Sequence, residues 1–206
     1  MNFNWLFPLS LVVCLGYSNF GISQTNNPNN APKSLFDGFS KEEKALFWAN
    51  RDSVLHTRLL YEKYMHFKRS ESTGALEVTN QFLDLFESYA KVWNDLILEP
   101  LPITPTDYAA VVRNFLPQGV ETELHLKEES MNNLEDPKYF RYYKVGEGKN
   151  EYYMHLVVEK KIWTQLNAQN TLVRLNEPRV FNLEMVFHIN PDKKATKIVE
   201  IKPMAH

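Results

Sequence analysis

The sequence predicts an α+β fold, and three observations carry that prediction. Apolar residues recur at helical spacing through the first half of the chain. From Val120 onward they recur with a period of two, between turn-forming residues. The helical segments also precede nearly all the strand-like ones, an order that favours helices packed on an antiparallel sheet over alternating βα units.

The first helix begins at Ser40-Lys41-Glu42-Glu43, a capping-box pattern in which the serine hydroxyl and the glutamate satisfy two orphan amides. It continues to about Lys68, with Val54, Leu55, Leu59, Tyr61 and Tyr64 forming an apolar flank. Ser70 to Gly74 interrupts it. Val78, Phe82, Leu85 and Phe86 then predict a shorter helix. Tyr89 to Leu98 reads as a strand, ended by Glu99-Pro100-Leu101-Pro102. Thr104-Pro105-Thr106-Asp107 opens a third helix, with proline where a missing amide does no harm. Its apolar stripe is Tyr108, Val111, Val112 and Phe115, and Pro117-Gln118-Gly119 stops it.

Val120 to Leu126 alternates apolar with charged residues, the mark of a half-buried strand. Tyr139–Val145 and Glu151–Leu166 flank Gly146 to Asn150, which predicts a hairpin. Leu172 to Asn190 is a further long strand with a break expected at Pro178, and Thr196 to Lys202 is the last. Met154, Leu156, Val158 and Ile162 share one face, interrupted by Lys160; Phe181, Leu183, Met185, Phe187 and Ile189 share a face of the next strand. Pairing Leu156 with Phe187 places both sets on one side. It sets His155 opposite His188, and Glu159 opposite Glu184, on the other.

The N-terminus carries a different message. Residues 1–30 contain no charged side chain, Trp5 to Leu15 is almost unbroken apolar sequence, and Gly21 and Ser23 supply small residues at −3 and −1. That is the layout of a signal peptide over residues 1–23, too short in its apolar core to span a bilayer. Residues 24–37 read as a polar, Asn/Pro-rich disordered spacer, and 38–206 as a single domain. Cys14 follows Leu11-Val12-Val13, but a lipid-attachment box needs a small residue where Val13 stands. Cys14 is the only cysteine, so cleavage leaves 183 residues with no disulfide, no thiol chemistry and no cysteine-ligated zinc. The localisation expected is periplasmic or extracellular, with no membrane insertion after cleavage. A net charge of −2 gives no basic face for nucleic acid, and 44% hydrophobic residues suffice for a packed core.

The element order, with the strand Ala90-Lys91-Val92-Trp93-Asn94-Asp95 and the closing segments Phe181 to Ile189 and Lys197 to Ile201, resembles the nuclear-transport-factor-two-like superfamily over Ser40 to Pro203. The resemblance implies a cone: a strongly bent antiparallel sheet wrapping the first helix around a cavity. Its isomerase-like members imply an acidic base where Asn94 or Asp95 falls and a tyrosine donor nearest Tyr64. They also imply a protonated acid where Met185 stands, so half of the donor pair is missing.

Each candidate residue carries two readings. Asp95 is a general base, or a structural or solvent-facing cap at the strand end. Tyr61, Tyr64, Trp93 and Met185 line a ligand pocket or fill the core. His155 and His188 lie on an exposed sheet face, since Glu159 stands about 13 Å from His155 along its strand and cannot complete a metal site. Lys160-Lys161 and Lys193-Lys194 read as solvated. No metal and no cofactor are expected. The function expected is an exported binding or assembly module that engages a hydrophobic small molecule or an envelope protein, through the cavity or the outer sheet face, with a homodimer through that face. The alternatives are an isomerase- or dehydratase-like enzyme using Asp95 and Tyr64, and a subunit of an envelope secretion complex.

Overall fold

The computed structural model describes residues 36, 39–66, 75–115, 120–126, 139–146, 148–169 and 171–204. The expected signal peptide, its cleavage site and Cys14 lie outside these residues. Among the described residues, three helices, α1 (Lys41–Met65), α2 (Ala75–Leu83) and α3 (Pro105–Phe115), accompany seven strands: β1 (Phe86–Trp93), β2 (Pro102–Ile103), β3 (Thr122–Leu126), β4 (Phe140–Lys144), β5 (Tyr152–Leu166), β6 (Leu172–Asn190) and β7 (Ala195–Pro203). The class is α+β, as the order of patterns predicts.

The expected capping box closes α1. Ser40 Oγ accepts from the Glu43 amide at 3.1 Å, and the Ser40 amide donates to Glu43 Oε2 at 2.7 Å. At α3, Thr104 Oγ1 accepts from the Asp107 amide at 3.1 Å. Phe86 is a departure from the helical reading: α2 ends at Leu83, and Phe86 opens β1. Its spacing from Phe82 satisfies a helix, yet the two rings meet edge-to-face at 5.0 Å across the turn between helix and strand. Local periodicity therefore cannot separate the two structures here.

The sheet runs β2-β1-β7-β6-β5-β3, with β4 also paired to β5. It is mixed rather than wholly antiparallel, because β1 runs parallel to β7. β5 and β6 pair with Leu156 opposite Met185 and Met154 opposite Phe187. The expected register, Leu156 with Phe187, is displaced by two residues. A two-residue slip preserves every facing and changes every partner. His155 therefore stands opposite Val186 rather than His188, and Glu159 opposite Asn182 rather than Glu184. At Pro178 the strand does not break. The register jumps, with Ile162 opposite Arg179 but Thr164 opposite Arg174, so the extra residues bulge where proline has no amide to offer.

The concave face holds the core. α1 crosses it, setting Phe47 against Phe140 and Tyr142, joining Ser53 Oγ to Thr196 Oγ1 at 2.6 Å, and placing Tyr61 beside Phe82 and Phe86. Met154, Leu156, Val158 and Ile162 of β5 are buried there with Leu183, Met185, Phe187 and Ile189 of β6. Phe36, ahead of the domain start expected at residue 38, packs on Phe47 and Trp48. The sheet curls far enough that the segment after β1 returns to β5: the Leu166 amide donates to the Leu96 carbonyl at 2.8 Å, and Ile97 forms a parallel bridge with Leu166.

Candidate functional site

Two groupings of polar side chains stand out, one inside the curl of the sheet and one on its outer face. The inner one is a consequence of strand alternation. Lys160 occupies the same face as Val158 and Ile162, so the period of two drives its side chain into the core. An unpaired ammonium there would cost several kcal/mol or more. The turn that follows β1 supplies its partner. Lys160 Nζ lies 2.7 Å from Asp95 Oδ2, and both side chains are 1% exposed. The ammonium also donates to Tyr61 Oη and to Tyr108 Oη, each at 3.1 Å. Tyr108 in turn donates to Asp95 Oδ1 at 3.0 Å.

Four elements thus converge on one neutral cluster: α1 through Tyr61, the β1–β2 turn through Asp95, α3 through Tyr108 and β5 through Lys160. Burial pushes the Lys160 amine down, but the Asp95 carboxylate and the Tyr61 hydrogen bond outweigh it and hold the amine above its ordinary value. Burial, reinforced by the Asp95 charge, drives the Tyr108 hydroxyl well above its ordinary value. Both effects keep the Lys160 amine charged and the Tyr108 phenol neutral near neutral pH. Arg179 of β6 braces the turn from behind, donating to the Asp95 carbonyl at 3.2 Å and the Ile97 carbonyl at 2.8 Å, with its guanidinium 4.9 Å from the Phe181 ring.

Lys160 is therefore not solvated, and Asp95 is neither a solvent-facing cap nor a free base. Of the residues singled out as ligand-binding, Tyr61 joins the cluster. Tyr64 instead stacks on Phe82 at 3.9 Å and hydrogen-bonds Thr79. Met185 is core, and Trp93 is half-buried against the core. The Asp95 and Tyr64 pairing that the isomerase-like resemblance implies is replaced by Asp95 with Tyr108. Sequence reading missed Tyr108 because it stands in an apolar stripe, where a phenol reads as another ring. It marked Lys160 as an interruption of the inner apolar face but read it as solvated; that interruption was the available signal for a buried counter-charge.

On the outer face, Glu184 gathers polar partners from three strands. His155 Nδ1 is 2.6 Å from its Oε1, Lys202 Nζ is 3.7 Å from its Oε2, and Arg141 donates to Oε1. The hydrogen bond with His155, aided by Arg141, overcomes partial burial and lowers the Glu184 carboxyl to about 2. Tyr143 Oη contacts His155 Nε2 at 3.1 Å. A second histidine, His188, meets Glu87 Oε1 at 2.8 Å through Nδ1 and Glu151 Oε2 at 3.6 Å through Nε2. Between these clusters the rings of Tyr143, Tyr153 and His188 follow one another at 5.7 and 5.3 Å. Val157 and Val186 lie beneath this layer and are buried by it. Tyr89 and Tyr143 remain about half exposed. Among the described residues, no three acidic, histidine or cysteine side chains are arranged to hold a metal ion.

No family model and no curated protein matches this sequence. Among solved structures, the chain is similar to an uncharacterized protein with a cystatin-like fold from Caulobacter vibrioides. The identity is 6%, 73% of this chain and 85% of that one are covered, and the TM-score is 0.44. It is also similar to the β subunit of benzoate 1,2-dioxygenase from Burkholderia mallei, with 12% identity, 79% and 87% coverage and a TM-score of 0.38.

Proposed function

We propose that the chain is an exported, non-catalytic binding or assembly module with the cone-shaped nuclear-transport-factor-two-like architecture, and that its outer sheet face engages a protein partner. One contrast carries the reading. Among the described residues, the inner face buries its apolar side chains together with the Lys160–Asp95 ion pair. The outer face presents a preorganised layer of Tyr143, Tyr153, His155, His188 and Arg141, cross-braced by Glu184, Glu87 and Glu151. Tyrosine and arginine on a rigid, partly exposed surface are the residue types that dominate binding energy at protein interfaces. They cost little ordering entropy when neighbours already hold them in place.

The enzyme alternative needs a carboxylate with room to meet a substrate and a second donor. Asp95 has both oxygens engaged, by Lys160 and by Tyr108, and Met185 offers no proton. A binding role needs neither.

The test is site-specific photo-crosslinking in the native host. A photoreactive residue replacing Tyr143 or Tyr89 yields one discrete adduct, which Arg141→Ala weakens, whereas the same group at His56, exposed on α1, yields none. Equal labelling from both positions contradicts the assignment to the sheet face.

A further inference from the structure

We infer that His188 is a proton-operated clip on the outer face: charged, it holds Glu87 and Glu151 at once and fixes the irregular stretch of β1 that carries Tyr89; neutral, it can hold only one of them. Hydrogen-bond arithmetic decides this. His188 Nδ1 lies 2.8 Å from Glu87 Oε1, and Nε2 lies 3.6 Å from Glu151 Oε2. An ionised carboxylate only accepts, and a neutral imidazole carries a single N–H. With that proton on Nδ1 for Glu87, the Nε2 lone pair faces the Glu151 carboxylate. The imidazolium donates from both nitrogens and meets both. All three side chains are less than about a third exposed, so water screens these contacts only in part. His155 also sits on a glutamate, but its needs differ. Its Nδ1–H serves Glu184 at 2.6 Å, and Tyr143 Oη, 3.1 Å from Nε2, donates to the lone pair there. Neutral His155 is therefore satisfied.

The clip acts where the strand ladder is weakest. β7 lies between β6 and β1 in the sheet order, so His188 reaches Glu87 across it. β1 pairs with β7 through Phe86 with Ile198 and next through Lys91 with Glu200, which leaves residues 87–90 in a bulge. Side-chain contacts must fix what the ladder does not. The exposed Tyr89 stands in that bulge, bonded to Tyr153, whose ring lies 5.3 Å from His188. Glu151, just ahead of β5, also accepts from Asn190 of β6 at 3.0 Å. On β7, Lys197 stands opposite His188, with its ammonium donating to the Asp84 carbonyl. In the turn after β6, Asp192 accepts from Asn150 at 2.7 Å. Histidine is the side chain whose charge changes between about pH 5 and 8, so mild acid closes the clip. Its bearing on docking rests on the reading of this face as the partner surface; its operation does not.

The experiment is residue-resolved amide hydrogen exchange on the free protein at about pH 5.5 and about pH 8, each rate referred to its intrinsic value at that pH. Protection of Ser88, Tyr89 and Ala90 is expected to be about two- to fivefold greater at the lower pH, the range that one partly exposed ion pair supplies. Amides in the middle of α1 do not share the change. The difference is lost in His188→Gln. It shrinks in Glu151→Gln, whose side-chain amide donates to the neutral ring. His155→Gln retains it in full. Should His188→Gln fail to fold, Glu151→Gln carries the test. Equal wild-type protection at the two pH values, a difference undiminished in either clip variant, or one lost in His155→Gln overturns the inference. No partner is present in this experiment, so its failure leaves the partner-face reading to the crosslinking test above.

Discussion

Asp95 and Lys160 lie 65 positions apart in the chain and on elements that are not neighbours in the sheet order, yet their side chains meet at 2.7 Å with both essentially removed from solvent. The pair ties the turn after β1 to the middle of β5, beside the place where Leu96 bonds back to Leu166. It marks where the sheet closes on itself.

The first prediction concerns alkaline pH. The folded Lys160 amine is held above its ordinary value, so its contribution to stability is fully present below the unfolded lysine value near 10.4. It is lost only as pH rises through the higher folded value. Urea denaturation between pH 7 and 11 should show this loss beginning above the ordinary lysine range. Lys160→Met should lack that component.

Acid acts on the outer face. The Glu184 carboxyl, lowered to about 2 from 4.5, contributes stability above its unfolded value. That contribution fades as pH falls through 4 toward 2. The expected loss is about 2–3 kcal/mol. Glu184→Gln should flatten that part of the stability–pH curve, and an unchanged curve would show that His155 and Arg141 do not hold the carboxylate.

Sheet facing is tested by substitution. Leu156→Asp and Phe187→Asp each bury a carboxylate in the core, at a cost of several kcal/mol or more, against a total stability of about 5–15. Both variants should be insoluble or unfolded by circular dichroism. His155→Ala should remain folded, because it sheds an outer-face contact rather than a core one.

Much of this fold was legible in the sequence. The capping box at Ser40, the proline-opened α3, the hairpin at Gly146 and Gly148, where both glycines adopt positive φ, and the facing of β5 and β6 follow from local chemistry. Register and partner choice do not. A two-residue slip between β5 and β6 leaves the same apolar faces inward, so periodicity cannot detect it. The parallel pairing of β1 with β7 depends on long-range closure. The buried pair shows the same division. Alternation showed Lys160 interrupting the inner face, yet the sequence reads it as solvated, and only the folded chain identifies Asp95 as its counter-ion and Tyr108 as the hydrogen-bond donor to that carboxylate.

Export is tested by mass. Protein recovered from the envelope or medium of its host should lack about the first 23 residues, with cleavage near Ser23–Gln24 and no lipid added. A mass carrying acyl chains on Cys14 would contradict the signal-peptide assignment.

The account rests most heavily on the Asp95–Lys160 pair, and a double-mutant cycle measures it directly. Breaking a buried pair by removing one partner costs about 3–5 kcal/mol, whereas replacing both partners costs far less than the sum. Equilibrium unfolding at pH 7 of Asp95→Asn, Lys160→Met and the double variant should therefore give a coupling of about 2–3 kcal/mol or more, with the double variant no less stable than either single one. Additive losses, with the double variant weaker than both, would mean that the two side chains do not form the closing contact of the sheet.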